Sequence, residues 1–177
     1  KVRELARQAG VSTAAPFRHF ANRQALISAM SETAAADLRH TFEQTLAGLS
    51  GQTPLAQFAS LGCAYLRWAA AKPDYFNVLN APDALQTIGP GNRQRDTEVT
   101  YGLMRELLLP AFADQPEQLL LTLLGARALV FGLARLAADG QLKNWAHSPE
   151  ISLTVQEAVV QLFTQHMADS AGLPGPH

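Results

Sequence analysis

Every long segment of this 177-residue chain repeats its apolar residues at three- and four-residue spacing, and none shows sustained alternation. That period restricts the chain to an all-α architecture. Residues 2–9 read as a short helix stopped by Gly10, and Ser12 caps a second over residues 13–19. Asn22 caps a long third helix reaching about Ala47, with Leu26, Met30, Leu38, Phe42 and Leu46 along one face. Thr53 and Pro54 open the next, since proline in a first turn gives up only an unused N–H. It runs through Phe58, Leu61, Tyr65 and Trp68 to Lys72. Four more helical stretches are expected at residues 74–80, 93–112, 116–140 and 152–170, with Pro110 kinking or ending the second of them. Residues 81–92, with Pro82, Gly89, Pro90 and Gly91, read as a loop, and residues 171–177 as a frayed tail.

Charge divides the chain in two. Residues 1–31 hold Lys1, Arg3, Arg7, Arg18 and Arg23 against Glu4 alone, five basic groups to one acidic, a net of +4. The remaining nine basic and fourteen acidic residues leave the body at −5. A basic end on an acidic body suits nucleic-acid binding at that end only. Cys63 is the single cysteine, which excludes an intrachain disulfide and fits a reducing cytoplasm. The longest apolar stretch, residues 119–136, is interrupted by Thr122, Arg127 and Arg135, so no span of the ~20 residues a bilayer needs is expected. The chain opens at Lys1 inside a helical pattern, and residues upstream of it are expected.

Residues 5–26, LARQAGVSTAAPFRHFANRQAL, carry the functional signal. Leu5, Ala6 and Ala9 form a narrow apolar face, Gly10 permits a left-handed turn, and Val11 plugs the angle between the two short helices. Two helices joined by a tight glycine turn make a helix-turn-helix, whose second helix enters the major groove of DNA. The order Ala9-Gly10-Val11-Ser12, then Phe17, His19 and Phe20, then Asn22, Arg23, Ala25 and Leu26, resembles the TetR family of bacterial repressors. Relative to that family the first helix is absent, Pro16 stands where Leu or Ile is usual, and Thr13 stands where many members have Lys.

Residue roles follow from chemistry and from the resemblance together. Thr13, Ala14 and Ala15 stand at the leading end of the recognition helix, where Thr can bond a base or phosphate and Ala can touch a thymine methyl. Arg18 and Arg23 suit phosphates, and Arg23 also lies in the first turn of the long helix, whose free N–H groups attract an anion. The resemblance gives His19 a phosphate-facing role and places Phe17 at the helix edge near the DNA backbone, where core packing is an equal reading.

The body shows no catalytic constellation. His40, His147 and His166 lack metal-ligand spacing, Cys63 has no partner, and no Walker loop, nucleophile elbow or HExxH occurs. No enzyme, metal or cofactor is expected. Phe58, Gly62, Cys63, Tyr65, Trp68, Phe76, Tyr101 and Met104 combine aromatic bulk with small neighbours, which suits an apolar ligand cavity of the ~300 Å³ or more typical of such sites. A plain core is the competing reading for any one of them. The last two long helices are apolar on more than one face, through Leu121, Leu136, Val155, Val159, Leu162 and Phe163, with Gly125, Ala128 and Gly132 allowing close approach. In the family, two such helices pair with their mates as a four-helix bundle.

The expectation is an all-α homodimer: residues 1–45 for DNA, residues 46–170 for ligand binding and dimerisation, and residues 171–177 as tail. Two recognition helices about one turn apart would read palindromic double-stranded operator DNA, and a small apolar or amphipathic effector favouring another spacing would release it. The alternative is a helical small-molecule-binding or interaction module without DNA binding.

Overall fold

The computed structural model describes residues 20–81, 92–145 and 151–171. Thr13, Ala14, Ala15, Phe17, Arg18 and His19 lie outside the described residues, as do most of the expected loop and tail. The described elements are α1 (Arg23–Ala47), α2 (Pro54–Ala71), α3 (Pro73–Leu79), α4 (Asn92–Leu108), a 3-10 turn (Leu109–Ala111), α5 (Pro116–Ala138), α6 (Leu142–Trp145) and α7 (Leu153–Ala171), with no strand among the described residues.

Local chemistry sets the ends of these helices. Asn22 Oδ1 accepts from the Ala25 N–H at 2.8 Å and starts α1; Thr53 Oγ1 accepts from the Ala56 N–H at 3.2 Å and starts α2, with Pro54 in its first turn. The expected helix over residues 93–112 is shorter in fact. Pro110 has no N–H to give the carbonyl one turn back, so α4 ends at Leu108 and the chain tightens into the 3-10 turn. At the end of α5, Gly140 takes a φ of +70°, the Gln141 N–H reaches the Leu136 carbonyl at 2.8 Å, and the Gly140 N–H reaches that of Ala137 at 3.0 Å. That pair of bonds closes the helix at Ala138, the last residue of its apolar pattern and two short of the expected bound at Gly140. The short α6 has no counterpart among the sequence-based expectations.

Helix α2 is the axis of the body, packed against α1, α3, α4, α5 and α7. A helix so surrounded must be apolar all round, and Leu55, Phe58, Leu61, Cys63, Tyr65, Leu66 and Trp68 are all buried. Two core clusters meet along it. One gathers Leu38, Phe42, Leu61, Tyr65, Trp68 and Phe76; the other gathers Leu55, Phe58, Leu108, Phe112, Leu119 and Leu123. One expectation is corrected here. Helix α5, at 23 residues, is long and apolar enough to cross a membrane by length and composition, because its two arginines and one threonine dilute the apolar run too little. Its inner face instead packs on α2, α4 and α7.

Polar straps fix α1 to this body. Asp37 accepts from Lys72 Nζ and from the Trp68 indole N–H, each at 2.7 Å. Arg39 donates to Asp96 on α4 at 2.8 Å and to Glu43 at 2.6 Å. Burial pushes the Asp37 carboxyl up, but the bonds from Lys72 and Trp68 outweigh it and hold the carboxyl below its ordinary 3.8. A folded-state value below the unfolded one makes the stabilisation present at neutral pH and lost as pH falls through the carboxylate range. Thermal melts are expected to show wild type losing stability faster than Asp37→Asn between about pH 5 and 3. Parallel acid limbs in the two proteins would show that this strap carries no pH-dependent stability.

Candidate functional site

A small cavity lies where the two core clusters meet. Its walls come from five helices: Leu38 and Phe42 of α1; Phe58, Leu61, Gly62 and Tyr65 of α2; Thr100 and Met104 of α4; Ala126, Arg127, Leu129 and Val130 of α5; Val160, Phe163 and Thr164 of α7. Its volume is about 60 Å³. That is well below the size expected from sequence, because Val160 and Val130 close in over Gly62. A Cβ built on Gly62 would stand 2.8 Å from Val160 Cγ1 and 3.5 Å from Val130 Cγ1. The glycine therefore serves close approach of α2 and α7 as well as opening space.

Of the residues selected from sequence, Phe58, Gly62, Tyr65 and Met104 meet at the cavity, and Cys63, Trp68, Phe76 and Tyr101 do not line it. Helical geometry explains the split. Phe58, Leu61, Gly62 and Tyr65 fall on one stripe of α2, whereas Cys63 is turned about 140° from Phe58; Trp68 lies within about 20° of Leu61 but roughly 10 Å further along the axis. Cys63 faces α7, where Gln161 Nε2 lies 3.7 Å from its sulfur. Burial pushes its thiol up, which disfavours the reactive thiolate. Trp68 is occupied by Asp37, Phe76 is sealed in the core, and Tyr101 is exposed on the outer side of α4. Leu38 and Phe42 were legible as the apolar face of α1, but nothing in the sequence assigned that face to the cavity. Arg127, read as an interruption of α5, proves to be a lining residue.

The cavity is apolar with few polar atoms, and those are mostly engaged. The Thr100 hydroxyl donates to the Thr97 carbonyl at 2.9 Å and the Thr164 hydroxyl to that of Val160 at 2.9 Å. Burial pushes the Tyr65 phenol up, while the Arg127 charge and a hydrogen bond with Asn80 act against it.

Two further surfaces flank the cavity. Five of the nine residues named from sequence as dimer contacts lie along the outer faces of α5 and α7, whereas Gly125 faces Phe163 across the contact between the two helices. Leu121, Leu136, Val155 and Leu162 are exposed, as is Ala128, while Gly125, Gly132, Val159 and Phe163 are half-buried. Leu120 and Leu124 extend the same exposed apolar face. Phe163 also reaches inward to the cavity wall. At the other end of the body, Arg23 is exposed at the first position of α1, whose first turn carries no acidic residue.

The chain has clear relatives. Residues 58–169 match the family model described as Tetracyclin repressor-like, C-terminal domain. A solved protein of unknown function from Rhodococcus sp. RHA1 superposes with a TM-score of 0.64 at 27% identity, covering 94% of this chain and 84% of that one. The TetR family transcriptional regulator PfmR from Thermus thermophilus superposes with a TM-score of 0.62 at 18% identity, covering 93% of this chain and 87% of that one. No curated protein matches the chain. With a family match over most of the helical body, on the fold described above, the chain belongs to the TetR family of transcriptional regulators.

Proposed function

We propose that the protein is a ligand-responsive, DNA-binding transcriptional repressor that acts as a homodimer through α5 and α7 and is released from its operator by a small apolar or amphipathic molecule. One observation carries this reading. Leu38 and Phe42 of α1 form part of the cavity wall, and α1 begins at Arg23, directly after the segment that the sequence assigns to DNA. A ligand that displaces those side chains acts on α1 directly. It changes DNA affinity to the extent that it prefers one position of α1 over another. The cavity, at about 60 Å³, is far below the ~300 Å³ of an ordinary ligand site, which counts against this pocket, so a ligand of that size would bind only if it displaced the walls. Thr13, Ala14 and Ala15 would read bases, and Arg18, His19 and Arg23 would hold phosphates, with Phe17 packing beside them.

The test is selection of DNA from a random pool by the full-length protein, followed by titration of the enriched site at several salt concentrations. A palindromic site is expected. Arg23→Ala should weaken binding to all sequences alike and reduce the salt slope by about 0.9, one phosphate contact. Substitutions at Thr13 or Ala15 should shift sequence preference. Failure to enrich any site would leave a helical binding module without DNA binding. A change of preference at Arg23→Ala with the salt slope intact would reverse the assigned roles.

A further inference from the structure

We propose that the cavity takes a compact apolar monocarboxylate, its carboxylate paired with Arg127 and its apolar body between Tyr65, Met104 and Val130; this rests on the sensing role proposed above. Arg127 is the only charged residue among the described residues that line the space. Among the described residues no carboxylate pairs with it. The other arginine in the body of α5 is differently placed: Arg135 donates to Asn77 Oδ1 at 3.1 Å and sits 4.9 Å above the Phe76 ring. Arg127 is exposed, so its guanidinium meets an incoming ligand without first being dehydrated. Its charge also reaches inward, since it acts on the buried Tyr65 phenol.

The polar chemistry of the wall narrows the head group. Thr100 and Thr164 donate their hydroxyl protons to backbone carbonyls, leaving Arg127 as the charged donor of the wall beside the neutral Tyr65 hydroxyl, which is bonded with Asn80. A cationic head would meet Arg127 with no carboxylate among the described lining residues to offset it. A neutral hydroxyl would gain an ordinary hydrogen bond. A carboxylate gains a charge-assisted one, about twice as strong, and a second if the guanidinium bonds both oxygens. The rest of the ligand must be apolar, because the remaining wall is almost wholly aliphatic and aromatic. Met104, with its flexible thioether, is the wall residue best able to yield as the space enlarges.

The experiment titrates the full-length protein with propanoate, butanoate and hexanoate, and with the alcohols and amines of the same lengths, by calorimetry and thermal shift. The carboxylates are expected to bind about tenfold or more tighter than their alcohols. Arg127→Gln should remove that preference while leaving alcohol binding within about twofold, and Arg127→Lys should restore part of it. Circular dichroism and light scattering would verify that both variants fold and assemble as wild type does. Alcohols binding as tightly as carboxylates, or a carboxylate preference that survives Arg127→Gln, would overturn the proposal and leave the sensing role standing. If none of the compounds binds wild type, whatever its head group, the cavity's sensing role fails with it.

Discussion

Leu162→Glu is expected to convert the protein from dimer to monomer at micromolar concentration, with little change in the stability of the protomer itself. Leu162 is 62% exposed on α7, and Leu121 and Leu124 are 54% and 60% exposed on α5. Scattered exposed leucines are ordinary, but a contiguous set on two adjacent long helices is not. A surface substitution at such a position changes protomer stability by about 0.5 kcal/mol or less. In a dimer through this face, the same glutamate is buried without a partner, which costs about 3–5 kcal/mol. That raises the dissociation constant by about two to four orders of magnitude. Gly132→Glu provides a second route to the same result, because a Cβ there meets nothing within 4 Å in the protomer. Sedimentation or light scattering reads the outcome. A wild-type monomer, or Leu162→Glu and Gly132→Glu both remaining dimeric, would remove α5 and α7 from the interface. Affinity for a palindromic site should fall with the dimer, since each half-site would then be bound alone.

The sequence was most legible where one local signal decides the outcome. Asn22 and Thr53 can each bond a free N–H of the first turn, and α1 and α2 begin beside them. Pro110 ended α4, but two residues earlier than the proline itself, because the loss of its N–H is felt by the turn before it. Helix α5 ended with its apolar pattern at Ala138, just before the Gly140 that the sequence placed at its end. Its close rests on the positive φ of Gly140 and on bonds from Gly140 and Gln141, and the glycine was the visible part of that signal.

The site was legible only by stripe. Phe58, Gly62 and Tyr65 share one face of α2, and period alone brought them together. Trp68 was attached to them by the same period but lies too far along the axis, and Cys63 was attached as a small residue and belongs to another face. Helix α2 is buried on nearly every side, so burial could not tell the faces apart from sequence. Gly62 shows the same limit. A glycine between aromatics suggests open space, yet whether that space stays open depends on which side chain arrives opposite, here Val160 from a distant part of the chain. Arg127 was visible only as a break in an apolar helix, and its meaning came from the walls around it.

Phe76→Ala is expected to lower the stability of the body by about 3–5 kcal/mol, the range for a large aromatic removed from a packed core. Phe76 is 0% exposed. Its ring centroid lies 6.3 Å from that of Tyr65, edge-on at 77°, and 6.0 Å from that of Phe131. The Arg135 guanidinium covers it at 4.9 Å. Helix α3 has seven residues and Phe76 is its buried residue. A helix of two turns has little stability of its own, so its place against α1 and α2 depends on this anchor. For a chain of this size each kcal/mol shifts the melting midpoint by about 2–4 °C, so a drop of roughly 6–20 °C is expected. Urea unfolding should show a lower midpoint at an unchanged slope, the mark of lost stability without a changed unfolded state. The contrast with a ligand-contact role for Phe76 is direct. A contact residue would alter effector affinity and leave the melt nearly in place. A loss below about 1 kcal/mol, together with weakened effector binding, would return Phe76 to the site from which the geometry removes it.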